Sequence, residues 1–132
     1  MPAVLDTHAA IWYLLDSTKL SASVYSMIDN AAASGSPTYI SAVSLVEVVY
    51  LVERGRLVAD AFNRFATELD RTNPAFAIAS VDAHVATKLK LIPRSIVPDM
   101  PDRIIAATAL HLGLPLVTRD RRLQAAGLQT IW

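Results

Sequence analysis

Four acidic residues lie within or at the edges of apolar segments, where an ionised carboxylate is costly to bury. They are Asp6, Glu47, Asp102 and Asp120. Burying such a group costs several kcal/mol unless a cation or a metal ion neutralises it, and few of the other segments offer a suitably placed Lys or Arg. Because Mg²⁺ and Mn²⁺ prefer oxygen ligands and are typically held by a few carboxylates, the four acids predict a Mg²⁺ or Mn²⁺ site.

A site of this kind can hydrolyse a phosphodiester without a protein nucleophile. One or two ions lower the pKa of a bound water, orient it in line with the phosphorus atom and neutralise charge on the leaving oxygen. The sequence contains no Gly-x-Ser-x-Gly motif and no glycine loop that could hold a phosphate. His8, His84 and His111 lack metal-ligand spacing, so the predicted chemistry depends on the carboxylates.

Capping of a helix N-terminus is the structural alternative for three of the four acids. Taken singly, Asp6, Asp102 and Asp120 each fit that role. Glu47 does not fit it, because it lies inside the apolar segment 43–52, where a solvent-facing Glu would need a polar stripe along an almost wholly apolar helix. The four residues together favour a functional site over four unrelated structural roles.

The apolar pattern predicts strands that alternate with helices. Strands are predicted at 2–5, 37–41, 76–81, 114–118 and 128–132. Helices are predicted from Thr7, from a cap at Ser21, over 44–55, from 59 to a break at 73–74, from a cap at Asp82 to 91, and over 102–112. Such alternation implies a parallel sheet with helices on both faces, which is an α/β fold.

In a parallel sheet, functional groups collect beyond the carboxyl ends of the strands, at the point where the strand order reverses. Asp6 and Asp120 both follow predicted strands, and Glu47 and Asp102 are expected in the first turns of helices. All four carboxylates are therefore expected in one cleft. Nearby hydroxyl groups that could bond the carboxylates or the metal waters belong to Thr7, Ser44 and Thr118.

The composition indicates one globular domain over residues 1–132. Mean hydropathy is +0.37, which is high for so small a chain, yet no apolar run approaches the roughly 20 residues that a membrane span requires. The surplus apolar surface is expected to face another chain, in a homodimer or with a wrapping partner. The lack of cysteine and of a signal-like N-terminus predicts a reducing cytoplasm.

Charge is balanced, with 12 Lys and Arg against 12 Asp and Glu, so any contact with nucleic acid must come from a local patch. Four arginines flank two of the acids in sequence. They are Arg103, Arg119, Arg121 and Arg122. Because several carboxylates would repel a polyanion, these guanidinium groups are expected at the rim of the cleft as phosphate contacts.

Four motifs in this order resemble the PIN-domain ribonucleases, specifically the VapC-type toxins of prokaryotic toxin–antitoxin pairs. They are Leu5-Asp6-Thr7-His8 with Trp12 beyond, Ile40-Ser41-Ala42-Val43-Ser44 followed by Glu47, Asp99-Met100-Pro101-Asp102-Arg103-Ile104-Ile105-Ala106-Ala107-Thr108-Ala109, and Leu116-Val117-Thr118-Arg119-Asp120. The resemblance covers nearly the whole chain. It departs from the family at Met100, where relatives often carry Pro, and at Ile96-Val97, where they often carry His.

The resemblance implies a three-layer α/β/α fold around a parallel sheet and endonucleolytic cleavage of RNA. It implies that Mg²⁺ or Mn²⁺ is held by the matching acids, Asp6, Glu47, Asp102 and Asp120. Asp99 matches an acid that is frequent in the relatives and is expected beside these ligands. The resemblance also implies a small VapB-like antitoxin as the partner that neutralises the activity.

Three other functions compete with this interpretation. A phosphohydrolase of the haloacid dehalogenase type would need a second Asp two positions after Asp6, where the sequence has His8. A phospho-acceptor receiver domain could use Asp82, but it needs an acidic pair after the first strand, and Asp6 stands alone. A degenerate PIN fold could act only by binding a partner, and the presence of all four acids argues against it.

Overall fold

Five parallel strands form the centre of the protein, as a computed structural model of the chain describes it over residues 2–132. The strands are β1 (Val4–Leu5), β2 (Thr38–Ser41), β3 (Phe76–Ala79), β4 (Leu116–Val117) and β5 (Thr130–Ile131). Their order is β3-β2-β1-β4-β5, and every neighbouring pair is parallel. The parallel sheet predicted from the sequence is therefore confirmed.

Helices connect the strands and cover the sheet. They are α1 (Thr7–Leu14), α2 (Ala22–Ala33), α3 (Ala42–Glu53), α4 (Ala61–Leu69), α5 (Ala83–Leu89), α6 (Met100–Leu112) and α7 (Arg121–Gln124). The two predicted caps are present, since Ser21 accepts a hydrogen bond from the Val24 N–H and Asp82 accepts one from the Val85 N–H. No helix among the described residues is long and apolar enough to cross a membrane.

Two predicted helices begin elsewhere in the structure, and one short helix was not predicted. Helix α3 begins at Ala42 because the Ser41 hydroxyl caps it through the Val43 N–H, and this places Glu47 in the second turn instead of the first. Helix α6 begins at Met100 and Pro101 is its second residue, because proline is favoured in a first helical turn; Pro101 therefore does not end a loop. Helix α7 was not predicted, since four residues are too few to show a helical period.

Apolar side chains fill two cores, one on each face of the sheet. Leu5 pairs in register with Ile40 and Val117, and these three belong to the core that packs with α1, α2, α3 and α4. Successive strand residues point to opposite faces, so the preceding residues pack with α5, α6 and α7. Those residues are Val4, Tyr39 and Leu116. The three layers implied by the resemblance are confirmed.

The strand order reverses at β1. The chain passes from β1 to β2 and β3 on one side, and β4 and β5 then lie on the other side. The carboxyl ends of β1 and β4 are adjacent, since Leu5 is in register with Val117 and the Asp6 N–H donates to the Val117 carbonyl at 3.1 Å. The side chains that follow these two strands therefore meet at the switch point.

Candidate active site

A cavity of about 360 Å³ opens at the carboxyl edge of the sheet. We call it the acidic cleft, and its lining consists of Asp6, Thr7, His8, Trp12, Glu47, Asp99, Asp102, Arg119 and Asp120. All four carboxylates predicted from the sequence are present, together with Asp99. The expectation that these acids share one cleft is therefore met, although they come from four separate parts of the chain.

Asp6 is fixed by hydrogen bonds to both carboxylate oxygens. The Ala9 N–H donates to Oδ1 at 2.8 Å, which makes Asp6 the N-cap of α1, and the Thr118 hydroxyl donates to Oδ2 at 2.5 Å. Burial raises the pKa of Asp6, and the two hydrogen bonds oppose that rise because they favour the ionised form. Asp6 therefore both caps α1 and lines the acidic cleft.

Glu47 is oriented by a chain of two hydroxyl groups. The Thr7 hydroxyl donates to Glu47 Oε1 at 2.5 Å and also lies 2.9 Å from the Ser44 hydroxyl. Since Thr7 has one hydroxyl proton and gives it to Glu47, Ser44 is the donor in the second bond. Burial raises the pKa of Glu47, the Thr7 bond lowers it, and the charge of Asp99 raises it further.

Asp102 lies in the first turn of α6 and forms no ion pair within residues 2–132. Burial, followed by the charges of Asp99, Asp120, Glu47 and Asp6, raises its pKa to about 7. Asp99 occupies the N-cap position of α6, but its side chain makes no capping hydrogen bond. In contrast to Asp6, neither Asp99 nor Asp102 caps its helix through a side-chain hydrogen bond, so both carboxylates are available to a cation in the cleft.

Asp120 is the N-cap of α7. Its Oδ1 atom accepts from the Arg122 N–H at 2.8 Å and from the Leu123 N–H at 3.2 Å. Its own N–H donates to the Thr118 hydroxyl at 3.0 Å. Thr118 therefore links Asp120 to Asp6 across the switch point.

No Lys, Arg or His side chain forms an ion pair with these acids within the part of the chain that the structure describes. Its ion pairs are Arg64 with Asp60 and Arg71 with Glu68, and both lie outside the cleft. Over residues 2–132, no three His, Asp or Glu side chains stand close enough together to hold a metal ion as they are placed. The carboxylates line one cavity, and Mg²⁺ typically keeps several of its waters when a few carboxylates bind it. An all-oxygen donor set of this kind fits Mg²⁺ or Mn²⁺ in its chemistry.

The arginines divide into two groups. Arg119 lines the acidic cleft, and Arg121 and Arg122 line an adjoining cavity of about 280 Å³ that shares three of the carboxylates with it. Arg103 lies elsewhere, because its guanidinium donates to the Leu89 carbonyl at 3.0 Å and to the Ile92 carbonyl at 3.0 and 3.2 Å. The prediction that Arg103 contacts phosphate at the rim is corrected: this arginine ties α6 to the end of α5.

The family model for the PIN domain matches residues 3–128. This chain belongs to the PIN domain family. Ribonuclease VapC22 from Mycobacterium tuberculosis is 29% identical over 122 residues, which cover 92% of this chain and 89% of that protein. Membership of the PIN family excludes the dehalogenase-type and receiver-type alternatives.

Two solved structures have the same fold. The crystal structure of VapBC2 from Rickettsia felis bound to a promoter DNA fragment matches with a TM-score of 0.74 and 18% identity, over 99% of this chain and 98% of that one. The crystal structure of FitAcB from Neisseria gonorrhoeae matches with a TM-score of 0.68 and 26% identity, over 100% and 97% of the two chains. The PIN fold therefore extends over the described chain.

A Thr118→Val substitution is expected to destabilise this PIN domain by about 1 to 3 kcal/mol, because it removes the hydroxyl that bonds both Asp6 and the Asp120 N–H. The loss should be larger at pH 8 than at pH 5, since the bond favours ionised Asp6. Urea unfolding in chelator measures it. Thr108→Val is the matched control, because Thr108 is equally buried but bonds a carbonyl within α6. Equal losses in both variants would contradict the role given to Thr118.

Proposed function

We propose that this PIN domain protein is a metal-dependent endoribonuclease and the toxin of a type II toxin–antitoxin pair. The observation that carries the proposal is the set of five carboxylates around one cleft at the switch point, with no ion pair to neutralise any of them within residues 2–132. The similarity to a protein named as a ribonuclease supports RNA as the substrate.

Mg²⁺ or Mn²⁺ would be held by Asp6, Glu47, Asp102 and Asp120, with Asp99 beside them. When bound there, such an ion would supply positive charge near the phosphate and would lower the pKa of a water molecule for attack. The chain itself orients the carboxylates: Thr118 fixes Asp6, and Thr7, supported by Ser44, fixes Glu47. The hydroxyl groups therefore set the directions of the donor oxygens before substrate arrives.

Phosphate contacts are proposed for Arg119 on the acidic cleft and for Arg121 and Arg122 on the adjoining cavity. The two cavities share Asp99, Asp102 and Asp120. We infer that an extended strand passes from one cavity to the other across the shared carboxylates, with guanidinium groups in each cavity. Such a path favours cleavage within a strand over removal of terminal nucleotides.

A small antitoxin and a second copy of this chain are the proposed protein partners. Support for the antitoxin comes from structural neighbours that are toxin–antitoxin complexes, among them one from Klebsiella pneumoniae. The surface also exposes large apolar side chains, including Val46 and Tyr50 on α3 and Met100 at the start of α6. Because these side chains would otherwise face water, they support association with an antitoxin or with a second copy of the chain. The proposed RNA substrate would place the protein in the cytoplasm.

The proposal predicts that the purified, partner-free protein cuts RNA only with a divalent metal ion. A mixed RNA pool is incubated with Mg²⁺, with Mn²⁺ or with chelator, and the ends are mapped by sequencing. We expect internal cuts with either metal, none in chelator, and recovery when metal is restored. RNA that is bound but left uncut with both metals would instead indicate the non-catalytic PIN fold, in which the chain acts through a partner.

A further inference from the structure

Arg119 lies among carboxylates but forms no ion pair with any of them within residues 2–132. Its guanidinium carbon stands 4.6 Å from the centre of the Trp12 ring and 5.9 Å from that of Trp132. It is also the one Lys or Arg among the described residues that line the acidic cleft. An arginine that could pair with a carboxylate is therefore held by aromatic rings instead.

The two rings form a corner around this guanidinium. Trp12 and Trp132 have centroids 5.9 Å apart and planes inclined at 73°, which is an edge-to-face contact. Trp12 comes from α1, whereas Arg119 and Trp132 follow β4 and β5. These two strands are paired, and the Thr118 N–H donates to the Ile131 carbonyl at 3.1 Å, so the sheet itself sets Arg119 beside Trp132.

Stacking and ion pairing have different consequences for an arginine. A guanidinium group is planar and its five N–H donors point outward in that plane, so an aromatic ring against its face leaves the donors available. A carboxylate partner would use two of them and cancel the charge. The aromatic corner therefore gives the acidic cleft a cation that remains able to bind an anion.

We propose that Trp132, together with Trp12, is a positioning residue that holds Arg119 at the wall of the acidic cleft, where Arg119 binds a phosphate of single-stranded RNA. This inference rests on the proposed nuclease function and adds the residues that bind the RNA strand beside the carboxylates. Trp132 acts through Arg119 and touches no reacting atom. Its removal should weaken RNA binding without changing the chemical step.

Steady-state cleavage of one short single-stranded RNA with Mn²⁺ tests the inference. Arg119→Gln should raise KM on the order of tenfold, as expected for a lost charge-assisted bond, with little change in kcat. It should also reduce the slope of log KM against log salt by about 0.7. Trp132→Leu should also raise KM, but less than Arg119→Gln does. Trp132→Phe keeps an aromatic face, so its KM should be close to that of the wild type.

The double variant separates positioning from a general effect on the fold. In the Arg119→Gln background, Trp132→Leu should add nothing further to KM. Lys19→Gln is the matched control, because Lys19 lies 5.9 Å from the same Trp12 ring but does not line the cleft, and its KM should stay at the wild-type value. If Trp132→Leu raises KM equally with or without Arg119, the positioning role is wrong.

Arg119→Lys covers the case in which Trp132→Leu does not fold. Lysine keeps the charge but not the planar group that stacks, so we expect KM close to that of Arg119→Gln. A lysine variant with wild-type KM would overturn the inference, because charge alone would then suffice. A wild-type protein that leaves RNA uncut would contradict the nuclease function itself, and fluorescence anisotropy with the same RNA and variants would then test the binding role of the corner.

Discussion

Asp102→Asn is expected to reduce RNA cleavage at least about a hundredfold, a loss equivalent to about 2.7 kcal/mol of transition-state stabilisation. Asp102 offers the clearest test of the cleft because burial and the charges of four other carboxylates raise its pKa, and no hydrogen bond within residues 2–132 favours its ionised form. Asparagine is nearly the same size but carries no charge. The measurement is kcat for a defined RNA with Mn²⁺.

Asp82→Asn is the matched control. Asp82 is also an Asp at the start of a helix, but it caps α5 and lies outside the acidic cleft. Asparagine caps a helix almost as well as aspartate, so this variant should keep both its stability and wild-type cleavage. If folded Asp102→Asn protein cleaves as fast as the control, Asp102 is not part of the active site.

Asp6→Asn should lower the rate comparably, but its interpretation needs more care. Asp6 accepts from both the Ala9 N–H and the Thr118 hydroxyl, so an amide in its place disturbs a cap as well as a charge. A fall in activity supports a role for Asp6 in the active site only if circular dichroism shows that the variant keeps its fold. The two substitutions together separate the ligand role from the structural one.

The location of the cleft followed from the sequence because strand ends are marked by local patterns. Asp6 and Asp120 each follow a short apolar run, and parallel strands place their carboxyl ends at one edge. Both acids also proved to be N-caps, so the structural and functional interpretations were not exclusive. Glu47 was recognised because a charged residue contradicted the apolar period around it.

What the sequence did not predict depends on contacts between distant segments. Trp132 lies beside Arg119 because β4 pairs with β5, and Trp12 reaches both from α1, so no local sequence pattern predicts this contact. Arg103 was assigned to phosphate because it follows Asp102. In a helix, however, adjacent residues point about 100° apart, so its guanidinium reaches α5 instead.

The pH dependence of stability distinguishes a cleft built for a cation from a set of structural carboxylates. The pKa of Asp102 is raised from 3.8 to about 7 when no metal is present, so the folded protein holds a proton that the unfolded chain releases. The stability that this proton provides is complete below about pH 4 and is lost as pH rises through about 7. Metal-free protein should therefore be less stable at pH 8 than at pH 5.

Asp102→Asn removes this titration, and Glu47→Gln removes a second raised pKa of the same cleft. In chelator, each variant should melt above the wild type at both pH values, and the difference should be smaller at pH 5 than at pH 8, because only part of the proton's contribution is lost by pH 5. Millimolar Mn²⁺ at pH 8 should then raise the melting temperature of the wild type by mass action and raise it less in the variants. Thermal melts at the two pH values measure both effects. A wild type indifferent to Mn²⁺, with a Glu47→Gln variant destabilised in chelator, would mean that Glu47 has a structural role and that the carboxylates do not form a cation site.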